Sequence, residues 1–112
     1  MTINEYQKLA LRTNPVKENK SIQGIIHGVM GLNGVAGEAI DIVKKCTYQG
    51  HALDDHHLAL ELGDIAWYIA ATADALGYDL ETILQMNIDK LRSRYPDGFD
   101  PERSKHRGKD DI

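Results

Sequence analysis

The chain has one cysteine, one tryptophan, one phenylalanine and three prolines in 112 residues. A single thiol, Cys46, cannot close an internal disulfide, so the fold must rest on packing, and the composition fits a reducing cytoplasm. No apolar run approaches the roughly 18 residues a membrane helix needs. The opening MTINEYQKLALR has no secretory-signal pattern. A basic excess is also missing. The net charge of −4 argues against a nucleic-acid coat, which needs a basic face. It leaves small phosphorylated ligands open, because bound metal can meet their charge. There is no Gly-rich phosphate loop, no serine nucleophile elbow and no dinucleotide fingerprint.

What is present is a soluble, globular composition, 42% hydrophobic and sized for one domain. Helical periodicity organises it throughout, and no segment alternates with the period of a strand. Residues 2–12 predict a first helix, with Thr2 and Glu5 as a capping box and Ile3, Tyr6, Leu9 and Ala10 on one side. Asn14-Pro15 stops it, and a polar stretch from Lys17 to Lys20 leads on. A second, longer helix is expected from Ser21 to Cys46, with Ile22, Ile25, Ile26, Val29, Leu32, Ile40 and Val43 on its apolar side. It carries Gly24, Gly28, Gly31, Gly34 and Gly37, each costing about 1 kcal/mol against alanine in a helix interior. Spacings of three and four keep much of that small-residue stripe on one side, which predicts a close helix approach. A third helix is expected from Asp54 as N-cap to Leu76, stopped by Gly77. A fourth runs from Asp79 to about Tyr95, stopped by Pro96-Asp97-Gly98. The expected organisation is an all-α, four-helix bundle-type domain over residues 1–96 with a polar tail over 97–112.

Two acidic pairs stand out. Glu38/Asp41 and Glu61/Asp64 each have i, i+3 spacing on a helix, so each places two carboxylates one turn apart. Their neighbours, GVAGEAIDIV and ALELGDIAWYIA, are apolar, and a charge buried there needs a partner. Four carboxylates brought together by two helices would repel one another unless a hard divalent cation sat between them. Mg²⁺ takes oxygen ligands and is often shared with a phosphate. The alternative is two solvated helix faces. Tyr68 falls on the face of Glu61 and Asp64, and Lys45 continues the Glu38/Asp41 row. Asn87, Lys90 and Arg94 put an amide and two cations on one stripe of the fourth helix, which suits a polyphosphate or an ordinary solvated face. Trp67 could stack on a base or pack in the core, and its helical spacing favours the core. His51, His56 and His57 lack the further ligands of a zinc site, although His57 and Glu61 form an i, i+4 pair. His27 reads as a packing or interface histidine, and Cys46 as structural.

Together, GLNGVAGEAIDIVKK (31–45), ELGDIAWYIAATADALG (61–77) and NIDKLRSRYPDGF (87–99) resemble the MazG-like nucleoside triphosphate pyrophosphohydrolases, an all-α family. NEYQKLALRT (4–13) is similar to the opening of its small members. The resemblance implies a homodimeric or homotetrameric helical bundle. It implies Mg²⁺, with Mn²⁺ as a possible substitute, held by an ExxE on one helix and an ExxD on the next. It implies attack of water on the α-phosphorus of a nucleoside triphosphate, giving a monophosphate and pyrophosphate. By position, Glu61 and Asp64 match the ExxD and Glu38 the second Glu of the ExxE. Asp41 stands where the family often has a further carboxylate, and Asn87 and Lys90 match residues used around the phosphates. Glu38, Glu61 and Asp64 are the implied catalytic set. One position departs: where the first Glu of the ExxE is expected, this chain has Val35. A metal site without that oxygen is weakened, or the protein binds nucleotide without turnover.

Overall fold

A computed structural model describes residues 1–16 and 21–112. The expected linker Lys17–Lys20 lies outside the described residues. Among those described, helices are the only regular elements, beside one isolated bridge between Pro96 and Gly98. The helices are α1 (Ile3–Ala10), α2 (Ile22–Tyr48), α3 (Asp55–Leu76), α4 (Leu80–Arg94) and α5 (Pro101–Lys105), with a 3-10 turn at Leu11–Thr13. None is long and apolar enough to cross a membrane. The chain divides into two compact units, Met1–Leu80 and Glu81–Ile112.

The helix ends follow local chemistry. Thr2 and Glu5 form the capping box at α1, and Ser21 caps α2 by accepting from the Gly24 amide at 3.0 Å. Asp54 caps α3 by accepting from the His57 amide at 3.0 Å, and Gly77 ends α3 in the left-handed region at φ 86°. Ala10 is the last α-helical residue of α1. The chain then tightens into the 3-10 turn instead of continuing the α-helix to residue 12.

In the first unit, α3 packs along α2 and also carries α1 and the 3-10 turn. The side of α2 against α3 is built from small residues. A Cβ on Gly28 would collide with Thr72, and one on Gly31 with the Tyr68 ring, so glycine lets α3 approach here. At Gly34 and Gly37 a Cβ would meet open space, so the close approach covers only part of the stripe. The buried apolar residues of α3 are the alanines Ala70, Ala71, Ala73 and Ala75. Short side chains let the helix axes come near but remove little apolar area from water.

Close packing on small residues leaves many of the large apolar side chains uncovered within the single chain. Ile22, Ile26, Val29, Ile40 and Val43 of α2 and Leu62 of α3 are exposed, as are Ile3 and Leu9 of α1. The buried side chain of α1 is Gln7, which hydrophobic periodicity passes over. Its Nε2 donates to the carbonyls of Ala70 and Tyr78, each at 3.2 Å, and its Oε1 accepts from the Leu80 amide at 2.8 Å. One amide thus pins α1 to α3 and to the first residue of α4. Trp67 makes the second tie. Its Nε1 donates to the Ala10 carbonyl at 2.9 Å and the Thr13 hydroxyl at 3.0 Å, so its role is packing, as helical spacing favours.

The second unit includes the polar tail, which carries structure of its own. Tyr95 and Phe99 rings meet at 5.2 Å across the Pro96–Gly98 turn. Asp100-Pro101 then starts α5: Asp100 caps it by accepting from the Glu102 amide at 2.9 Å, and Pro101 occupies the first helical turn. Arg94 holds the following segment through Asp111.

Candidate active site

Glu61 is the unusual residue of α3, a buried carboxylate on a helix whose other buried residues are alanines. The Asp54 cap fixes where the helix starts and therefore which residues of its first two turns face α2. His57 and Glu61, one turn apart, are brought together, with His57 Nε2 at 3.1 Å from Glu61 Oε1. The second oxygen, Oε2, is buried and has no hydrogen-bond partner among the described residues. An ionised oxygen in that condition costs several kcal/mol unless a positive group meets it.

Glu61 opens on a cavity of about 560 Å³ between α2 and the start of α3. Glu38, Asp41 and Lys45 line it from α2, and His51, Asp54 and His57 from the loop and α3. Asp41 is not a free ligand in this arrangement. Lys45 Nζ lies 3.0 Å from one of its oxygens and Lys44 Nζ 3.3 Å from the other. Hydrogen bonding from Lys45, then from Lys44, holds the Asp41 carboxyl below its ordinary value. Lys45 is thereby engaged in an exposed i, i+4 pair, a contact of small energy that a stronger anion can take over.

Asp64 lies elsewhere. It lines a second hollow, of about 440 Å³, with Val35, His27, Trp67, Tyr68, Thr13 and Pro15. The Asp64 charge also reaches Tyr6: burial first, and that charge second, raise the Tyr6 phenol above its ordinary value and keep it protonated. His27 packs against the edge of Trp67 at 6.2 Å and against Tyr68 at 5.7 Å, the packing role its position predicted. Tyr68 contributes its ring to this hollow and covers Gly31. Glu38, Asp41 and Glu61 thus share one cavity, while Asp64 shares the other with Val35. Among the described residues, no three His, Cys, Asp or Glu side chains are grouped closely enough to hold a metal ion. The fit to a cation rests on the unpartnered Glu61 oxygen; Glu38 and Asp41 line the same cavity and offer oxygen donors of the kind a hard ion takes, without closing around one point.

Asn87, Lys90 and Arg94 belong to the second unit. Arg94 is held by a bidentate pair with Asp111, at 2.9 Å from Nε and 2.6 Å from Nη2. Lys90 lines a cleft with it. His57 is the site residue that sequence reasoning underrated. Its i, i+4 spacing to Glu61 was visible, but the fit of that pair to the cavity depends on how α3 lies against α2.

The geometry defines an all-helical protein with a carboxylate-lined cavity between two packed helices. The MazG nucleotide pyrophosphohydrolase domain matches residues 30–99, and the chain belongs to that family. It is 41% identical over 80 residues to the Gene 37 protein of Mycobacterium phage L5, covering 66% of this chain and 68% of that protein. No solved structure matches it.

Proposed function

We propose that the chain hydrolyses nucleoside triphosphates to nucleoside monophosphate and pyrophosphate, with a divalent cation required. The observation that carries this reading is Glu61, buried with an unpartnered oxygen in a cavity lined by two further carboxylates. Glu38, Asp41 and Glu61 are the residues of this cavity that would hold Mg²⁺, or Mn²⁺ in its place, and Asp64, which lines the other hollow, is assigned to the ion by family position alone. Bound there, the ion supplies charge neutralisation for the triphosphate and a lowered pKa for the attacking water. Glu61 orients that water, and His57, 3.1 Å from Glu61, can hold its proton at Nε2. The water oxygen bonds to the α-phosphorus and the bond to the β-phosphate oxygen breaks, so pyrophosphate leaves. Lys45 can exchange its exposed pair with Asp41 for a phosphate, and Tyr68 offers an aromatic wall to the substrate. Asn87, Lys90 and Arg94 are assigned to the phosphates by residue type and family position.

A second reading, nucleotide binding without turnover, is favoured by Val35, which offers no oxygen where the family pattern has Glu. Turnover of a triphosphate panel with Mg²⁺, followed by pyrophosphate release, separates the two. Under the first reading Glu61→Gln lowers the rate about a hundredfold or more, a loss of about 2.7 kcal/mol of transition-state stabilisation. Wild-type turnover by that variant sinks the proposed site. Nucleotide binding with no turnover by the native chain selects the second reading.

The assembly we propose is a homodimer or homotetramer. Ile22, Ile26 and Met30 form an exposed stripe at i, i+4, i+8 on α2, an arrangement suited to burial against another copy. Sedimentation at micromolar concentration should show the oligomer, and a fully active monomer contradicts it.

A further inference from the structure

Arg94 is the last residue of α4, and the chain leaves the helix at Tyr95-Pro96. A free arginine side chain has many rotamers open to it, and fixing one is entropically unfavourable. Within the second unit the fold has already fixed it. Asp111, 17 residues further on and outside the family match, pairs with Arg94. The two side chains are 13% and 21% exposed, whereas the lysine pairs of Asp41 are far more exposed. A covered, bidentate guanidinium–carboxylate pair sets geometry, and an exposed single contact does not.

The edge of the guanidinium that Asp111 takes decides what the pair can do. The carboxylate sits against the edge formed by Nε and Nη2, with Oδ2 at 2.9 Å from Nε and Oδ1 at 2.6 Å from Nη2. The Ile112 carbonyl lies 3.4 Å from Nη2, at the outer limit of a hydrogen bond. Nη1 donates to no group among the described residues. A guanidinium carries five donors in one rigid plane, so a carboxylate on one edge leaves another edge able to take a phosphate. A carboxylate on the outer edge, between Nη1 and Nη2, would have blocked it.

We infer that Asp111 is a positioning residue for nucleotide binding, holding the Arg94 guanidinium by one edge so that the other edge meets the phosphates. The inference rests on the proposed function in giving Arg94 to the phosphates; the part played by Asp111 comes from the pair itself. An arginine already held in its bound rotamer loses less freedom when the ligand arrives, so Asp111 adds affinity without touching the ligand. The opposing effect is repulsion between the Asp111 carboxylate and the phosphates. Hydrogen bonding from Arg94 first, against partial burial, and then the charges of Arg107 and Lys90 hold the Asp111 carboxyl below its ordinary value. The same cations offset its repulsion of a second anion.

The test is a double-variant cycle on the full chain, read by calorimetric titration with inorganic triphosphate and Mg²⁺ at low ionic strength, which needs neither turnover nor a known base. Asp111→Asn should bind about tenfold weaker than the native chain, equivalent to about 1.4 kcal/mol. Asp111→Glu, which keeps the charge, should recover most of that loss. Arg94→Gln should bind at least about tenfold weaker, and adding Asp111→Asn to it should change nothing further. Native or tighter binding by a folded Asp111→Asn overturns the inference. An equal loss from Asp111→Asn in the native and Arg94→Gln backgrounds also overturns it, because the pair would then merely anchor the segment after α5. If circular dichroism shows Asp111→Asn to be unfolded, Arg94→Lys decides: one ammonium has no second edge, so it should bind about tenfold weaker, and native affinity refutes the two-edge reading. Triphosphate binding with no turnover discards the hydrolase reading and leaves the role of Asp111 standing. Absence of triphosphate binding by the native chain overturns the inference.

Discussion

Gln7→Glu isolates the tie that holds α1 against α3 and against Leu80 at the end of the first unit. The substitution keeps shape and keeps an acceptor for the Leu80 amide, but removes both donations to the carbonyls of Ala70 and Tyr78. Each buried hydrogen bond is worth about 1 kcal/mol net. At neutral pH the variant also places a charge at a buried position, beside two carbonyl oxygens 3.2 Å away. Burial and those oxygens both favour the neutral form, so the folded-state pKa of the introduced carboxyl lies above its unfolded value of about 4.3. A shift of roughly two units costs about 2.7 kcal/mol at pH 7. Adding about 1 kcal/mol for the donation that even a protonated carboxyl cannot restore gives a loss of about 3–5 kcal/mol. At roughly 4 °C per kcal/mol for a domain of this size, the melting temperature falls by about 12–20 °C. The sign with pH follows from the raised folded-state value. The deficit is smallest below about pH 4.3, grows as pH rises toward the folded-state pKa, and is constant above it. Thermal melts of native chain and variant at pH 4 and pH 7, at one protein concentration, measure both quantities. A variant that melts within about 2 °C of the native chain at pH 7 would refute the claim that Gln7 pins the unit. An equal deficit at both pH values would refute the buried-charge part.

Val35→Glu adds an oxygen ligand on the hollow that holds Asp64, so metal affinity and pyrophosphohydrolase rate should both rise, the rate by about tenfold or about 1.4 kcal/mol. Metal titration and turnover under matched conditions check this, and no change in either means residue 35 does not serve the metal. Gly31→Ala drives a Cβ into the Tyr68 ring and should cost about 1–3 kcal/mol, whereas Gly34→Ala meets open space and should be far milder. Denaturant melts of the two variants compare them directly, and equal destabilisation would mean the helix approach at Gly31 is misread.

Much of the fold was legible because its signals are local. Capping chemistry at Thr2, Asp54 and Gly77 depends on a few neighbouring residues, and these set helix starts and stops close to the expected positions. The acidic pairs were likewise visible as spacing. The inward face of each helix was less legible. A hydrophobic period marks Ile3, Leu9, Ile22, Ile26 and Ile40 as the apolar sides of their helices, but within one chain close packing on glycine and alanine leaves those long side chains exposed, and Gln7 is the buried residue of α1. A buried glutamine gives no period; only the three backbone groups that meet it in space show its role.

The sequence by itself determined the helical class, the helix ends and which carboxylates lie one turn apart, because each follows from dihedral preference and short-range hydrogen bonding. Only the tertiary structure decided how those carboxylates divide. Glu61 joins Glu38 and Asp41, while Asp64 faces Val35. Only it showed that Glu61 keeps an unpartnered oxygen and that Asp111 closes on Arg94. The reason is that charge pairing and burial depend on distances between segments far apart in the chain, and those distances are set by how closely glycine lets two helices approach.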